Sequence, residues 1–521
     1  MRIGFVIRQL GLLLLLLSAT MLPAAAWSAY DYYHYRVQMP GTGAAFIALL
    51  LSALIGVATG FPLLITGNTQ NKQLGRKEAL LLVALAWGVG AALSALPYRL
   101  WAAMNPLPPG TEQAFASFVN CYFEAMSGLT TTGASVLTDI ESIPRSLLFW
   151  QAFTHWIGGL GIVVLFVAVL PILGVGGKRL FRFETPGPKK EGVRPRIRAA
   201  AQVLWLLYLG ITLAEVFALR LVGMGWFNSI THAFATVATG GFSTQNASIA
   251  AFGSWKVDGI LIMFMFMAGV NFALYDALLA GRWRDALRNP ELRAYIGVMV
   301  LATVLITALT MGNPVVLTDG ARAEGFWPTL RHGLFTVVSI QTTTGFCTAD
   351  FDQWSFPAQT ILVLLMFIGG CAGSTGGGIK VIRWVILFKV LYAELEAVFR
   401  PHVVRTPRVG NAIIDPQMRS AILVYFVLIG MVVIVATGLF IYLETPQKLD
   451  SDGWDAATTA FSAVAANLNN IGPGLDRVGA AMNYAWLNPS TKILLTLLMA
   501  LGRLELYAFL VLALPAFWRE E

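Results

Sequence analysis

The chain has little charge, little cysteine and little histidine, and each shortage removes a class of explanation. Of 521 residues only 12% are charged, whereas 57% are hydrophobic, and the mean hydropathy is +0.68. Several apolar runs exceed the roughly 20 residues that cross about 30 Å of hydrocarbon. The protein is therefore polytopic in a membrane rather than built around a large soluble core. Its three cysteines, Cys121, Cys347 and Cys371, are too scattered for a disulfide framework or a metal site. Glu124, His155, His232 and His332 show no metal-ligand spacing and read as satisfied local polar groups. An intramembrane enzyme, such as a glycosyl transferase, needs acids or a nucleophile clustered at one depth, and the chain offers none. Lys380 invites a phosphate-loop reading, but Gly378-Ile379-Lys380 lacks the adjacent Gly-Lys that such a loop requires.

The net charge of +8 could suggest nucleic acid, but its placement argues otherwise. Eight Lys or Arg lie between Lys178 and Arg198, and four between Arg282 and Arg293. A third basic run extends from Lys380 through Arg383, Lys389, Arg400, Arg405 and Arg408 to Arg419. Loops between these clusters carry acids or few charges, as at Asp139, Glu141, Asp350, Asp352, Asp450, Asp452 and Asp455. This alternation is the positive-inside pattern, with the basic loops cytoplasmic. Met1 to Trp27 has two arginines, a leucine run and three alanines before Trp27. It reads either as a signal peptide or as a retained first transmembrane helix, and retention is the favoured expectation.

What the chain has is a repeated unit. From Leu80 onward a full apolar span is followed by a half-length segment, a short glycine-containing stretch and a second full span. The half-length segments are Glu112 to Gly128, Trp226 to Val237, Trp327 to Ile340 and Trp454 to Asn467. The stretches are TTTGA (Thr130 to Ala134), ATGGF (Ala238 to Phe242), TTTGF (Thr342 to Phe346) and NNIGP (Asn469 to Pro473). Their glycines, Gly133, Gly241, Gly345 and Gly472, are 108, 104 and 127 residues apart. The second full spans are expected over Leu147 to Leu173, Trp255 to Ala280, Phe356 onward, and Thr491 to Phe517. Only the third of these is expected to be broken by glycine. The spacing divides the chain into an N-terminal two-helix domain (1–75) and four pore repeats (76–190, 191–290, 291–410 and 411–521). The fold class is thus an all-α polytopic membrane protein, with four helix–pore-helix–helix repeats in pseudo-fourfold arrangement preceded by two extra transmembrane helices.

Segments too short to cross the bilayer read as re-entrant, and irregular backbone at that depth survives only inside protein or along a water-filled path. Threonine and glycine offer little side-chain chemistry but a dense row of carbonyl oxygens. Four converging loops would surround a dehydrated cation with such oxygens, and the carbonyl ends of four short helices would add their dipoles. Any one of these stretches alone would pass for an ordinary turn. Four copies in the same setting point to an ion-selectivity filter.

At these residues the chain resembles the Trk/Ktr/HKT superfamily of cation transporters, specifically the TrkH-type membrane subunit of bacterial potassium uptake. The resemblance covers nearly the whole length. It rests on the four stretches, on HWIGGLGIVV (His155 to Val164), on RFETPGP (Arg182 to Pro188) and on GCAGSTGGGIK (Gly370 to Lys380). It implies a filter formed by Thr131, Thr132 and Gly133; Thr239, Gly240 and Gly241; Thr343, Thr344 and Gly345; and Asn470, Ile471 and Gly472. Serine in place of the first glycine marks the family's sodium-selective plant branch, so Gly133 implies potassium. NNIGP departs from the threonine pattern, as the fourth repeat of this subfamily commonly does.

The run Gly369 to Gly378 should unwind the helix that starts near Phe356, because each glycine costs a helix about 1 kcal/mol relative to alanine. Packing glycines facing lipid are the plainer alternative. The resemblance makes the stretch an intramembrane gate, including Gly373, Ser374, Thr375, Gly376, Gly377, Gly378 and Lys380, with Arg503 as an electrostatic barrier in the pore. A charge within an apolar span normally faces the bundle interior, so an ion pair of Arg503 with Glu215 or Asp276 is the structural alternative. Glu505, two residues on, points elsewhere on a helix and reads as a poor partner. The expectation is potassium-selective uptake across the bacterial inner membrane through a gated, channel-like pore, with a sodium- or proton-coupled potassium symporter as the rival. The resemblance further implies a homodimer and a cytoplasmic nucleotide-binding regulatory subunit of TrkA type. Potassium is the transported ion, and no bound organic cofactor is expected.

Overall fold

The computed structural model describes residues 3–35, 41–67, 75–106, 113–168, 193–400, 407–410, 412–444 and 455–519. The RFETPGP turn and most of the basic cluster from Lys178 lie outside them. Among the described residues, six helices are long and apolar enough to cross a membrane, and two sharply bent helix pairs bring the number to eight.

The chain opens with two long helices, α1 (Ile3–Tyr35) and α2 (Thr42–Thr66), which lie along one another. The buried face of α2 is a row of small residues that includes Ala45, Ala48, Ser52, Gly56 and Gly60. Water-driven association is absent between helices in lipid, so close backbone approach has to supply the contact energy. A Cβ on Gly11 would stand 2.6 Å from the Leu64 nitrogen and 2.7 Å from the Gly60 oxygen. Gly56-Val57-Ala58-Thr59-Gly60 is the small-xxx-small pattern that permits this approach.

The repeated unit then runs four times. The first comprises α3 (Arg76–Met104), α4 (Phe118–Leu129) and α5 (Arg145–Ala168). The second comprises α6 (Val193–Leu221), α7 (Trp226–Val237), α8 (Trp255–Ala268) and α9 (Phe272–Leu279). The third comprises α10 (Pro290–Thr310), α11 (Phe326–Gln341), α12 (Phe356–Met366) and α13 (Val381–Phe399). The fourth comprises α14 (Pro416–Leu443), α15 (Ala456–Leu468), α16 (Pro489–Arg503) and α17 (Tyr507–Leu510). The short members α4, α7, α11 and α15 have 12, 12, 16 and 13 residues, too few to span hydrocarbon at 1.5 Å per residue.

Local chemistry sets many of the helix starts. Pro290 opens α10 behind Asn289, whose side chain accepts from the Glu291 and Leu292 nitrogens. Asp415 caps α14 and Asp455 caps α15 in the same way, satisfying donors that have no partner within the helix. Helix α14 shows how the bundle meets lipid. Its stripe Ile422, Tyr425, Ile429, Val433 and Phe440 is buried, while Val427, Met431 and Ile434 on other faces are apolar and exposed.

Two of the expected spans are corrected. The run Trp255 to Ala280 is not continuous: α8 ends at Ala268, and α9 leaves at 96°. The oxygen of Gly269 accepts from the Cys371 nitrogen instead of a helical donor, and Asn271 caps α9 through the Ala273 nitrogen. The run Thr491 to Phe517 likewise breaks after Arg503, with a bend of 114°. Glu505 and Leu506 there take left-handed φ angles of 57° and 62°. The third repeat breaks where expected, between Met366 and Val381, but it is not the only broken one.

Gly11→Leu should force the α1–α2 contact apart, at the 1–3 kcal/mol typical of overpacking. We expect a lower melting temperature for the detergent-solubilised protein. Gly430→Leu, at a site with nothing within 4 Å, should melt with the wild type. Equal melting of the Gly11→Leu protein would refute this account of the helix pair.

Candidate selectivity filter and gate

Each short helix ends in the same way. The nitrogens of Thr131, Thr239, Thr343 and Asn470 bond the carbonyls three residues back (Gly128, Thr236, Ile340 and Asn467) at 3.1, 2.9, 3.0 and 3.3 Å. The next nitrogens, of Thr132, Gly240, Thr344 and Ile471, bond the carbonyls five back (Ser127, Ala235, Ser339 and Ala466) at 2.8, 2.7, 2.8 and 2.9 Å. This pair of bonds is the Schellman cap, whose turning residue takes a left-handed conformation. That residue is usually glycine. Here Thr131, Thr239, Thr343 and Asn470 occupy it, with φ of 52°, 56°, 60° and 56°. A left-handed β-branched residue is strained by about 1–3 kcal/mol and persists only where its surroundings enforce it.

Two residues on, Gly133, Gly241, Gly345 and Gly472 are also left-handed, with φ of 81°, 81°, 83° and 97°. Each of them abuts the next loop. A side chain on Gly133 would overlap the Gly240 carbonyl, one on Gly241 the Thr344 carbonyl, and one on Gly345 the Ile471 carbonyl. The fourth loop returns to the first, since a Cβ on Gly472 would lie 2.6 Å from the Thr132 oxygen. The structure thus brings all twelve expected filter residues into one closed ring of backbone. Polar side chains brace it from behind. Thr130 and Thr132 share a hydroxyl–hydroxyl bond of 2.8 Å, and Thr342 and Thr344 one of 2.7 Å. Asn470 donates to the Thr132 hydroxyl at 3.0 Å and to the Met499 carbonyl at 2.9 Å. The His155 ring takes up the space where a side chain on Gly240 would sit, which is why this loop carries a second glycine.

Outside the glycines lies a cavity of about 160 Å³ lined by all four of them and by no charged side chain. Its walls are linked around the ring. The Ile140 nitrogen bonds Asn246 Oδ1 at 2.7 Å, and the Ile249 nitrogen bonds the Cys347 carbonyl at 3.0 Å. Asp352 Oδ1 accepts from the Asp476 nitrogen at 2.9 Å, and the Tyr484 nitrogen bonds the Ser135 carbonyl at 2.9 Å. Burial, with nearby Asp350 and Asp476, pushes the Asp352 carboxyl up to about 7.

On the other side of the ring sits the unwound segment between α12 and α13. Its Gly377 nitrogen donates to Thr343 Oγ1 at 2.6 Å, so the strained third-loop threonine also holds the segment. A Cβ on Gly377 would lie 2.6 Å from the Asn469 oxygen, and one on Gly376 3.1 Å from the Thr342 oxygen. Thr375 Oγ1 donates to the Val237 carbonyl at 2.9 Å, Ser374 Oγ to the Cys371 carbonyl at 2.6 Å, and Lys380 Nζ to the Gly376 carbonyl. The Phe272 nitrogen bonds the Gly373 carbonyl at 3.2 Å, and Gly378 is left-handed at φ 65°. Lipid-facing packing glycines are therefore not what this stretch provides.

Arg503 is buried against this segment. Its Nη1 donates to the Thr375 carbonyl at 2.8 Å and its Nη2 to the Gly158 carbonyl at 3.3 Å. No ion pair with Glu215 or Asp276 is recorded among the described residues, so that alternative is replaced by two carbonyl contacts. Glu505, set aside as a poor partner, instead pairs with Arg383 at the start of α13. Sequence reasoning also missed Glu291, whose Oε1 accepts from the Ala372 and Ile382 nitrogens at 2.7 and 3.2 Å and so binds both ends of the segment. Its position two residues into α10 carried no signal of this. His232, His332 and Glu124 are hydrogen-bonded as expected, whereas His155 bonds the Gly128 carbonyl through Nδ1 and leaves Nε2 buried without a partner among the described residues; no metal-holding cluster occurs among them.

The comparisons agree with the motifs. The family model TrkH, described as a cation transport protein, matches residues 101–519. The Trk system potassium uptake protein TrkH of Salmonella typhimurium is 38% identical over 98% of this chain and 99% of its own length. Its namesake from Vibrio parahaemolyticus is 36% identical over the whole of both. The crystal structure of the potassium transporter TrkH from Vibrio parahaemolyticus superposes with a TM-score of 0.84 at 34% identity, covering all of both chains. Full-length identity at this level, together with a fold shared end to end, bears out the resemblance read from the motifs: the chain belongs to the TrkH family of cation transport proteins, which are not enzymes.

Proposed function

We propose that this chain is the ion-conducting membrane subunit of a bacterial Trk-type system, taking up potassium across the inner membrane through a selective, gated, channel-like pore. The observation that carries the reading is the closed ring, in which each filter glycine abuts the carbonyl of the next loop. Potassium shedding water needs oxygen ligands in its place. The carbonyls of Thr132, Gly240, Thr344 and Ile471, with those of Thr131, Thr239, Thr343, Asn470 and the four glycines, are the proposed ligands. The carbonyl ends of α4, α7, α11 and α15 lead into this ring and favour a cation there. Inward movement follows the membrane potential, worth about 2.3 kcal/mol per charge per 100 mV.

The segment Gly373 to Gly378, with Lys380 and Arg503, is the proposed gate in its closed position. Contacts with Thr343, Val237, Arg503 and Asn469 hold it under the filter, where it obstructs the path and Arg503 adds a positive charge. In this reading the chain divides into a two-helix domain (1–75) and four pore repeats (76–190, 191–290, 291–410 and 411–521). It forms a homodimer and is opened by a cytoplasmic nucleotide-binding partner of TrkA type, for which the exposed Arg282, Arg284, Arg288 and Arg293, with Lys389, Arg400 and Arg408, offer docking surface. Purified protein in liposomes should take up rubidium driven by potential alone, slowly without the partner and faster with it. Absence of uptake would refute the proposal, and dependence on a sodium or proton gradient would favour the symporter.

Two variants test its parts. Gly345→Ser must displace the Ile471 carbonyl, so potassium-over-sodium preference should fall roughly tenfold, the equivalent of 1.4 kcal/mol. An unchanged preference would remove Gly345 from the filter. Arg503→Ala frees the Thr375 carbonyl and removes the charge, so rubidium flux should rise. Wild-type flux in a folded Arg503→Ala protein would leave the arginine a structural role only.

A further inference from the structure

We propose that Glu124 is a positioning residue of the filter, setting potassium-over-sodium discrimination by holding the outer ends of the first and fourth loops. The inference rests on the conduction reading above. Glu124 lies on α4, nine residues before Gly133, and is fully buried. Three donors converge on its carboxyl group. Ser135 Oγ reaches Oε1 at 2.8 Å, the Val136 nitrogen reaches Oε2 at 2.9 Å, and Gln151 Nε2 from α5 also reaches Oε1. The Ser135 hydroxyl accepts from the Leu137 nitrogen at 3.0 Å, which leaves its hydrogen for Glu124. Such a site suits a group that only accepts, as an ionised carboxylate does, and bonds to such an acceptor are about twice as strong as neutral ones.

The grip extends beyond the first loop. The carbonyl of Ser135 accepts from the Tyr484 nitrogen at 2.9 Å, and the Tyr484 hydroxyl donates to the carbonyl of the filter glycine Gly472 at 2.7 Å. One acid thus ties two adjacent quarters of the ring. Counterparts in the other repeats are weaker in kind. His232 bonds Ser243 at 3.0 Å from the same register. The third and fourth repeats have Thr336 and Ala463 there, and serines do the bracing: Ser339 to the Phe346 carbonyl at 2.7 Å, and Ser462 from the Leu475 nitrogen at 2.9 Å. The ring is therefore stiffened unequally, with a fully buried carboxylate latch behind the first loop. Sodium is smaller than potassium and profits from oxygens that can close in, so a stiff ring disfavours it.

The test is rubidium uptake with sodium competition, using full-length protein in liposomes. Glu124→Gln keeps the shape but gives up an acceptor, and its rubidium-over-sodium preference should fall roughly tenfold, as for loss of one hydrogen bond to a charged group. The swap Glu124→Gln with Gln151→Glu returns a carboxylate to the pair and should recover part of that preference. Gly11→Leu, destabilised far from the filter, should keep the wild-type ratio. A folded Glu124→Gln protein with wild-type preference overturns the inference, as does a ratio lost equally in Gly11→Leu. Should Glu124→Gln not fold, Ser135→Ala removes the bond to Glu124 along with the one from the Leu137 nitrogen, and an unaltered ratio there is equally fatal. Wild-type protein without rubidium uptake would instead refute the conduction reading itself.

Discussion

Backbone meeting backbone is the constraint on which this molecule depends. At four places a loop passes so close to its neighbour that no Cβ fits between them. Glycine is required there twice over, by the contact and by a left-handed φ that side chains disfavour. The position two residues earlier is also left-handed, yet it carries threonine or asparagine. These residues accept strain of about 1–3 kcal/mol each. The structure shows what two of them gain: Thr343 holds the Gly377 nitrogen, and Asn470 bridges to Thr132 and Met499. Polar side chains at strained positions thus join the ring to its neighbours, which glycine could not do.

A second constraint follows from the surroundings. Inside a membrane, backbone groups released by a broken helix must find partners within the protein. Three second spans are broken here, and they satisfy one another. The Gly269 carbonyl takes the Cys371 nitrogen, and the Gly373 carbonyl takes the Phe272 nitrogen. Arg503 covers the Thr375 carbonyl, while Glu505 holds Arg383. Glu291 binds the segment at both its ends. Movement of the central segment would therefore reach the breaks in the second and fourth repeats. A charge-neutral outer cavity and a heavily cross-linked wall stand on the opposite side of the ring, so the proposed moving part lies beneath the filter and the rigid part above.

Much of this was legible in the residues. Three of the half-length helices fall within about two residues of their expected bounds, Trp226–Val237 on them, whereas the first starts at Phe118 rather than Glu112. Segment length and apolar content report directly on whether a helix can cross a bilayer. The four glycines could be aligned because part of their role is local: a left-handed φ two residues beyond each helix-end turn favours glycine whatever lies beside it. The unwinding after Met366 was legible for the same reason, since six glycines between Gly369 and Gly378 cannot support a helix.

Partnership was not legible. Trp255 to Ala280 reads as one apolar run because hydropathy records transfer into lipid and says nothing of a carbonyl diverted to a nitrogen a hundred residues away. Arg503 pointed inward, as a charge in lipid must, but its carbonyl partners exist only where the unwound segment meets α5. Glu505 was dismissed by helix geometry that ends at Arg503. Glu124 read as a local polar group, and only the fold reveals that its partners hold two quarters of the ring. The sequence by itself determined which segments span, which re-enter and where glycine lets the chain turn, because those follow from neighbouring residues. Which loops touch, which charge meets which carbonyl and that the second and fourth repeats also break were decided by the tertiary structure, because hydrogen bonds are made between groups that only folding brings together.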